Sequence, residues 1–231
     1  MKLAVNISTY QRKDGRTRDF LSRTLTSIKN QKHKDYKVFL IGDKYEDKDE
    51  FTEIATSILD PSRIYYENLP FALEREKYSD PEKLWSSGGT YSTNYAISKA
   101  LEEGFNWVCH IDHDDVWTEN HLLNFSNVID SQGEDIVFLA SRCNYLNKYI
   151  VPVYSMPGIF YPTASDLAHS SVCINFSKIP LRYRDVYAET GRVYASDADL
   201  WERSTSYIKN NGLKAILLAE PTLIYDKQEK L

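Results

Sequence analysis

The sequence predicts an α/β fold with a mostly parallel central sheet flanked by helices. Up to residue 111, short apolar runs typical of strands alternate with segments whose apolar residues recur at helical spacing. Such alternation requires crossover connections, which place neighbouring strands parallel. Beyond residue 119 the alternation is lost, so we expect a second part that mixes strands and helices without a regular order. The 231 residues are enough for one large domain, and no internal repeat or low-complexity linker divides them.

The first half contains four predicted strands and three predicted helices. The strands cover residues 3–8, 36–41, 63–67 and 106–111, and the helices cover residues 20–31, 51–59 and 90–103. Gly104 follows the last of these helices and favours its termination. Residues 68–87 carry Pro70, Pro81 and many charges, so we expect a long irregular loop there.

The second half has a less regular pattern. Helices are predicted over residues 122–129 and 198–209, strands over 136–140, 171–176 and 215–218, and a hairpin over 144–153. Because no linker separates this half from the first, we expect one domain over residues 1–231.

The composition limits the classes of partner. The net charge of −5 argues against a general nucleic-acid or anionic-membrane binder. No apolar run approaches the ~20 residues of a membrane span, and the N-terminal apolar run is too short for a signal peptide. Cys109, Cys143 and Cys173 form no CxxC pair and lie in apolar runs, which predicts buried free thiols in a reducing compartment. We expect a cytoplasmic protein, with peripheral attachment to a membrane left open.

Residues 107–117 contain the strongest functional signal in the chain. Their sequence is WVCHIDHDDVW, an apolar strand-like run that ends in three carboxylates. Asp112 and Asp114 are two residues apart, so in an extended backbone both side chains leave the same face. Crowded carboxylates repel one another, and hard oxygen ligands of this kind suit Mg²⁺ or Mn²⁺. In open α/β sheets, ligands bind at the carboxyl ends of strands, which is where this segment lies.

Two other interpretations of this segment are weaker. An acidic turn with an Asp cap explains one carboxylate but not three. His110 and His113 lie close by, but their spacing does not match a familiar zinc motif. A site for a divalent ion that serves a phosphorylated substrate is therefore the favoured prediction.

Five motifs, taken in order, resemble the inverting GT-A glycosyltransferases of family 2. They are AVNISTYQR at 4–12, VFLIGD at 38–43, a Gly-Gly turn with an Asn-containing helix at 88–97, HIDHDDVW at 110–117 and SDADLW at 196–201. Most of these motifs are weak individually, but their joint order is specific and covers most of the chain.

The chain departs from the family pattern at three places. Gln11 stands where the family usually has Asn, and Ser196 stands where it usually has Glu. The C-terminal histidine that often helps to bind the metal is not evident near residues 225–227. The identity of a third protein ligand is therefore open.

The resemblance implies a GT-A fold in which residues 1–117 bind the nucleotide-sugar and residues 118–231 bind the acceptor. It also implies a metal-dependent, inverting glycosyltransferase that moves a sugar from a nucleotide-diphosphate donor to a hydroxyl acceptor, such as a glycan. UDP is favoured over GDP or dTDP by family frequency alone. The expected cofactor is Mn²⁺ or Mg²⁺.

The same resemblance assigns roles to individual residues on the donor side. Asp114 would be the direct metal ligand, Asp112 would contact the ribose or the metal and its water, and Asp115 would support the ligands or position the turn. The residues assigned to nucleotide-sugar binding are Thr9, Tyr10, Arg12, Asp43, Asn94, Asp112 and His113.

Some of these assignments have a plain structural alternative. Asp43 could be a helix cap or a turn residue, and Arg12 could be a solvated loop charge. The sequence does not choose among four further cations that could contact the diphosphate, which are Arg16, Arg18, Arg75 and Lys83.

An inverting transferase needs a general base on the acceptor side. Asp197 matches the family's base position. Asp199 is the alternative base, although it could instead cap the helix that begins nearby. His169 precedes a predicted strand near the expected acceptor side. An ordinary loop histidine is a simpler interpretation of it than acceptor binding or distant metal ligation.

Two other functions compete with this hypothesis. A sugar nucleotidyltransferase shares the layout and the metal carboxylates, but it normally has a Gly-rich loop after the first strand. The corresponding segment, residues 9–15, contains Gly15 alone. A non-catalytic carbohydrate-binding module is disfavoured because the D-x-D pattern and Asp197 are retained.

Overall fold

The structure, a computed structural model, describes residues 1–152, 156–164 and 167–225. The strands within them are β1 (Leu3–Thr9), β2 (Tyr36–Asp43), β3 (Ile64–Leu69), β4 (Trp107–His110), β5 (Val116–Trp117), β6 (Ile136–Tyr145), β7 (Tyr149–Val151), β8 (Gly158–Phe160), β9 (Val172–Asn175) and β10 (Lys214–Tyr225). The helices are α1 (Thr17–Lys29), α2 (Lys48–Ser57), α3 (Leu73–Lys77), α4 (Pro81–Ser87), α5 (Thr90–Glu102), α6 (His121–Gln132), α7 (Val186–Thr190) and α8 (Ser196–Asn210). Short 3₁₀ turns lie at Pro61–Arg63 and His169–Ser171.

The strands of the described residues form one sheet with the main order β3-β2-β1-β4-β9-β6-β10-β5. The pairs β1–β2, β2–β3 and β1–β4 are parallel, and β9 lies antiparallel between β4 and β6. The long strands β6 and β10 are again parallel, whereas the short strands β5, β7 and β8 pair antiparallel with them. The predicted α/β fold and the mixed character of its second part are therefore confirmed.

Helices cover both faces of the sheet because its central strands are apolar on both faces. Leu3, Val5 and Ile7 of β1 belong to a buried cluster with apolar residues of α1, α2 and α6. Ala4, between them in sequence, belongs to a second cluster with apolar residues of α5 and α8. Alternation between two layers along one strand is the period-two pattern of a strand buried on both faces.

The prediction of an irregular loop over residues 68–87 is wrong, because the helices α3 and α4 lie there. Pro81 stands in the first turn of α4, and the Asp80 carboxylate accepts two backbone N–H bonds in that turn. Glu74 of α3 is buried, and its carboxylate accepts the backbone N–H of Tyr91 in α5. The proline and the charges therefore start and anchor helices that are too short to show a periodic pattern.

The second half contains more regular structure than its pattern predicts. β6 and β10 extend beyond the predicted segments 136–140 and 215–218, and β5, β8 and α7 are additional to the prediction. Register shifts flank Pro221 in β10, since proline has no N–H for the ladder. The predicted hairpin is present as the β6–β7 pair, while its last predicted residue, Val153, lies outside the described residues.

The predicted burial of the three cysteines as free thiols is confirmed. Cys109, Cys143 and Cys173 are buried free thiols. The Cys109 Sγ lies 3.0 Å from the Cys173 Sγ across the antiparallel β4–β9 pair. In the part of the chain that the structure describes, none of the helices is both long and apolar enough to cross a bilayer.

The parallel strands bring their carboxyl ends to one edge of the sheet. Thr9 at the end of β1 pairs with Gly42 of β2, which directly precedes Asp43. Asn6 of β1 pairs with His110 at the end of β4. The acidic run that follows β4 therefore leaves the sheet beside the segments that follow β1 and β2, as the rule for open α/β sheets requires.

Candidate active site

A cavity of about 560 Å³ opens at this edge of the sheet and is lined by residues from both halves of the chain. The predicted site residues in its lining are Thr9, Tyr10, Asp43, Asp112, His113, Asp114 and Asp197. This volume suits a ligand of about the size of a nucleotide.

Asp112, Asp114 and Asp115 form an acidic cluster in this region. Each offers one carboxylate oxygen such that the three oxygens lie within 4.8 Å of one another. Two unit charges at about 5 Å repel by about 3 kcal/mol at an effective dielectric constant of about 20, before solvent screening reduces that value. A divalent ion relieves such repulsion, and an all-oxygen donor set is the chemistry that Mg²⁺ and Mn²⁺ prefer. These residues therefore fit the expected cofactor.

The neighbouring histidines do not join this cluster. His110 is fully buried, its Nδ1 lies 3.3 Å from the Asn6 amide nitrogen, and its ring packs against that of Tyr183. Burial lowers the pKa of His110 well below its ordinary value, which makes it a neutral core histidine. His113 is also buried, and its ring centroid lies 5.1 Å from that of Tyr10. The described residues therefore give the zinc alternative no support.

Helix α1 fixes the backbone of the acidic turn. The Thr24 hydroxyl lies 2.9 Å from the carbonyl oxygen of His113 and 2.8 Å from that of Asp115, and shares its hydrogen between them. The Arg23 guanidinium donates to the carbonyl oxygen of Asp114 at 2.6 Å. These bonds hold the turn without using a carboxylate oxygen.

Ser170 connects the two ends of the acidic turn. Its hydroxyl accepts the backbone N–H of Asp112 at 2.8 Å and donates to the Asp115 Oδ2 at 2.5 Å. The indole N–H of Trp117 donates to the Ser170 carbonyl at 2.7 Å, which fixes Ser170 in turn. Because the Asp115 side chain is buried, this geometry favours a role for it in positioning the turn.

A second polar pocket lies where β1 and β2 end. Asp43 is buried, and the Arg75 Nε donates to its Oδ2 at 2.7 Å. Burial raises the pKa of Asp43, an effect that Arg75 partly offsets. The Arg75 guanidinium lies 5.4 Å from the centroid of the Tyr10 ring, and the Thr9 hydroxyl lies 2.5 Å from that of Tyr45. A ring face, a guanidinium and a carboxylate together suit a planar heterocycle.

Of the four cations that could contact the diphosphate, Arg75 lines the cavity. The others have contacts elsewhere: Arg16 lies over the Phe20 ring, Arg18 pairs with Glu53, and Lys83 lies over the Tyr187 ring. The capping alternative for Asp43 is wrong, because Asp47 caps the helix that follows.

Two residues predicted to bind the nucleotide-sugar do not belong to the lining of this cavity. The Arg12 guanidinium pairs with Asp14 at 2.8 Å on the loop after β1. Asn94 clamps the backbone of Tyr183, because its Nδ2 donates to the carbonyl at 2.8 Å and its Oδ1 accepts the N–H at 3.1 Å. An amide suits this clamp since it carries both a donor and an acceptor. Arg12 thus stabilises its loop and Asn94 positions the Tyr183 segment, while the binding of the nucleotide-sugar by these two residues stays a prediction.

His169 lies in the site, although the sequence pattern favoured an ordinary loop histidine. It lines the cavity, its Nδ1 donates to the Asp112 Oδ1 at 2.8 Å, and its Nε2 lies 3.1 Å from the Tyr183 hydroxyl. Burial disfavours the protonated ring, but the Asp112 carboxylate outweighs it and raises the pKa of His169. A chain of contacts thus runs from Asn94 through Tyr183 and His169 to Asp112. The one sequence signal is a histidine placed just before a buried strand.

The variants His169→Asn and His169→Gln should separate the two bonds of this histidine. The Asn amide nitrogen reaches the position of Nδ1 and keeps the bond to Asp112, whereas the longer Gln reaches the position of Nε2 and loses that bond. We expect the Mn²⁺ affinity, measured with UDP present, to fall about 10-fold in His169→Gln and less than about 3-fold in His169→Asn. Paramagnetic resonance of free Mn²⁺ during titration gives both values, and equal affinities in the two variants would contradict this role.

Asp197 and Asp199 lie in different environments, although both are in the first turn of α8. Asp199 is buried and pairs with Arg184 and Arg203, at 2.6 Å in each case. Burial raises its pKa, but the two guanidinium groups outweigh burial and lower it, which makes Asp199 a poor proton acceptor. Asp197 lines the cavity and forms no ion pair among the described residues. The capping alternative for Asp199 is wrong, since the N-cap of α8 is Ala195 without a side-chain cap bond.

Comparison with known proteins identifies relatives over almost the whole chain. The family model "Glycosyl transferase family 2" matches residues 4–191. A protein of Acanthamoeba polyphaga mimivirus, described as the uncharacterized glycosyltransferase R139, is 32% identical over 238 residues, which cover 99% of this chain and 95% of the viral protein.

Solved structures share the architecture at low sequence identity. The S. aureus TarS 1–349 complex with UDP-GlcNAc matches 100% of this chain and 60% of its own, with a TM-score of 0.68 and 15% identity. The mannosyltransferase PcManGT from Pyrobaculum calidifontis, in complex with GDP-Man and Mn²⁺, matches 99% of this chain and 58% of its own, with a TM-score of 0.59 and 13% identity. The chain thus spans about 60% of the length of these solved chains.

The resemblance drawn from the five motifs is confirmed by the family match, and the α/β architecture is shared with the solved structures. The viral relative, which is described as a glycosyltransferase, matches this chain over nearly its full length. The chain therefore belongs to glycosyl transferase family 2 and is a glycosyltransferase with the GT-A fold.

Proposed function

We propose that the protein is a metal-dependent, inverting glycosyltransferase that moves a sugar from a UDP-sugar to a hydroxyl group of a glycan. One observation carries this proposal: Asp112 and Asp114 of the acidic cluster, the Asp43–Arg75 pocket and the Asp197 carboxylate line the same cavity. In this proposal the nucleotide base of the donor lies in the Asp43–Arg75 pocket and its diphosphate lies at the acidic cluster. Asp197 then contacts neither group and can serve the acceptor. In this arrangement residues 1–117 chiefly serve the donor and residues 118–231 chiefly serve the acceptor.

Solved proteins of this architecture support the donor class. TarS forms complexes with UDP and with UDP-GlcNAc, and PcManGT forms a complex with GDP-Man and Mn²⁺. We extend the use of a nucleotide-sugar and of a divalent ion to this chain, because Asp112 and Asp114 line its cavity and offer carboxylate oxygens close enough to share an ion.

Tyr10, Asp43 and Arg75 hold the nucleotide base in this proposal. The carboxylate accepts a ring N–H, the guanidinium donates to a ring carbonyl, and the tyrosine ring packs on the flat face. Uracil offers one N–H between two carbonyl oxygens. That pattern suits one carboxylate beside one guanidinium. Thymine presents the same edge, and the TarS complexes with UDP and UDP-GlcNAc favour uridine of the two.

Asp114 and Asp112 would hold the Mn²⁺ or Mg²⁺ ion. When bound, the ion neutralises the charge that develops on the diphosphate as the sugar leaves. His169 occupies one oxygen of Asp112, which favours Asp114 as the direct ligand. Thr24 and Ser170 hold the turn in place, so the ligand oxygens need little rearrangement.

Asp197 acts as the general base in this proposal. The acceptor hydroxyl oxygen forms a bond to the anomeric carbon while its proton passes to the Asp197 carboxylate. The bond between the anomeric carbon and the phosphate oxygen breaks on the opposite side, and its electron pair leaves with UDP. Attack opposite the leaving group inverts the anomeric configuration.

A thermal-shift panel of nucleotides with and without Mn²⁺ tests the donor class. At about 100-fold excess over its dissociation constant, UDP with Mn²⁺ should add about 2.7 kcal/mol of stability and raise the Tm by about 5–10 °C. UDP without metal, and GDP or dTDP with metal, should give smaller shifts. A panel in which no nucleotide gives a Mn²⁺-dependent shift would overturn the proposal.

Donor hydrolysis distinguishes the transferase from the two competing functions. Slow, Mn²⁺-dependent release of UDP from a UDP-sugar supports the transferase. Formation of UTP from a UDP-sugar and pyrophosphate would indicate a nucleotidyltransferase. Metal-independent sugar binding without turnover would indicate a carbohydrate-binding module.

A further inference from the structure

Trp85 is exposed on the wall of the cavity. Its side chain is 74% exposed, whereas the other three tryptophans are 4%, 3% and 0% exposed. It makes no ring contact or side-chain hydrogen bond with the described residues, yet it lines the same cavity as Asp197. A large exposed indole in a concave site is a surface that a ligand can cover.

Two contacts hold the segment around Trp85 against the second half of the chain. On α4 itself, the Lys83 ammonium lies 4.2 Å from the centroid of the Tyr187 ring in α7. Just after α4, the Thr90 hydroxyl donates to the Ser196 hydroxyl at 3.2 Å. Ser196 directly precedes the proposed base. Trp85 lies between these two anchors in sequence and lines the same cavity as the proposed base.

The donor contacts proposed above come from other elements. The pocket for the nucleotide base is built from residues at the ends of β1 and β2 and from α3, and the acidic cluster follows β4. Helix α4 contributes to neither group, although it lines the cavity. The wall that carries Trp85 is therefore available to the second substrate, whose hydroxyl must come within hydrogen-bond distance of the general base.

We propose that Trp85 is the acceptor platform, whose indole stacks on a pyranose ring that presents a hydroxyl to Asp197. A pyranose has one face rich in C–H bonds, which matches the electron-rich face of an indole, and a rim of hydroxyls. Ser196 lines the same cavity, and its hydroxyl, which accepts from Thr90, keeps its own hydrogen to donate to that rim. This inference rests on the proposed function, and it defines the acceptor as a sugar rather than a lipid or protein hydroxyl.

Tryptophan fluorescence tests binding, because only one of the four indoles is accessible to a ligand. The wild type, with UDP and Mn²⁺ present, is titrated with the methyl glycosides of glucose, galactose, mannose and N-acetylglucosamine. At least one glycoside should change the emission in a saturable way, and the change should be absent in Trp85→Phe. A panel without any saturable response would overturn the inference, as would a response that persists in Trp85→Phe.

Kinetics of sugar transfer to the glycoside that changes the fluorescence test whether Trp85 binds the acceptor. Trp85→Ala should raise the acceptor KM by about 10-fold or more, and Trp85→Phe by less, because a smaller ring retains part of the stacking. The donor KM and the UDP-dependent thermal shift should remain within about 2-fold of the wild-type values. Met156→Ala is the matched control, since Met156 is 79% exposed and lies outside the cavity lining.

The outcomes separate this inference from the proposed function. A wild type that hydrolyses the donor, combined with a Trp85→Ala variant whose acceptor KM is unchanged, overturns the platform and leaves the transferase intact. A Trp85→Ala variant that loses donor and acceptor affinity equally also overturns it, because the indole would then contact the donor sugar. A wild type without Mn²⁺-dependent donor hydrolysis instead contradicts the proposed function itself.

Discussion

Asp114→Asn is expected to lower the rate of UDP-sugar turnover by about 10³-fold. The variant keeps the size of the side chain but removes the charge of the residue that the geometry favours as the direct metal ligand. Arg23 and Thr24 hold this turn through its backbone, so the fold should be retained. The measurements are UDP release from the donor at saturating Mn²⁺ and the Mn²⁺ affinity of each variant.

Asp135→Asn is the matched control for this experiment. Asp135 pairs with Lys214 at 2.5 Å and lies outside the cavity lining, so the variant removes the same charge without touching the cluster. Its turnover should stay within about 2-fold of the wild type. If Asp114→Asn keeps comparable turnover, the assignment of Asp114 is wrong. A structure soaked with Mn²⁺ and UDP in which the ligand lies away from Asp114 would lead to the same conclusion.

Asp197→Asn is expected to lower sugar transfer by about 10³-fold or more while nucleotide-sugar binding survives. The amide cannot accept the proton of the attacking hydroxyl, but it preserves the shape of the cavity wall. The dissociation constant of the UDP-sugar, measured by calorimetry with Mn²⁺, should change by less than about 3-fold. Turnover like that of the wild type would reject Asp197 as the base.

Asp199→Asn is the comparison variant, because it makes the same chemical change two residues away. Asp199 is 9% exposed at its side chain and holds Arg184 and Arg203, so loss of its charge leaves Arg203 without its carboxylate and Arg184 with Glu189 alone. The partial exposure of both arginines reduces the effect, and we expect a loss of about 2 kcal/mol in the free energy of unfolding. Folded Asp199→Asn should still transfer sugar, and a loss of transfer without a loss of stability would favour Asp199 as the base.

Local sequence is sufficient for the parallel strands in the first half of the fold. The apolar runs of β1, β2 and β4 are buried on both faces, and a polar residue marks the end of each, which is why their order and their shared edge are predictable. Helices α3 and α4 escape prediction because their short turns carry no apolar period. In β10, the register shifts around Pro221 remove the regular alternation that would reveal a strand.

The assignment of single site residues depends on contacts between distant segments. Arg75 and Asp43 are separated by 32 positions, and His169 and Asp112 by 57, so no local pattern connects either pair. Asn94 shows that a family motif does not reveal every contact of a residue. Its place in the motif suggested a ligand contact, and in the structure its amide forms two hydrogen bonds with the backbone of Tyr183.

The sequence by itself determined the α/β architecture and the position of the acidic run, because these depend on periodicity and on residue types at strand ends. The order of the five motifs indicated the family by resemblance. The tertiary structure decided which candidates share a cavity and which are held by other side chains. Asp197 and Asp199 are the clearest case: two carboxylates of the same helical turn differ because packing brings Arg184 and Arg203 to one of them and leaves the other facing the cavity. The physical reason is that the proton affinity of a carboxylate depends on the groups around it, and folding brings those groups together from distant parts of the chain.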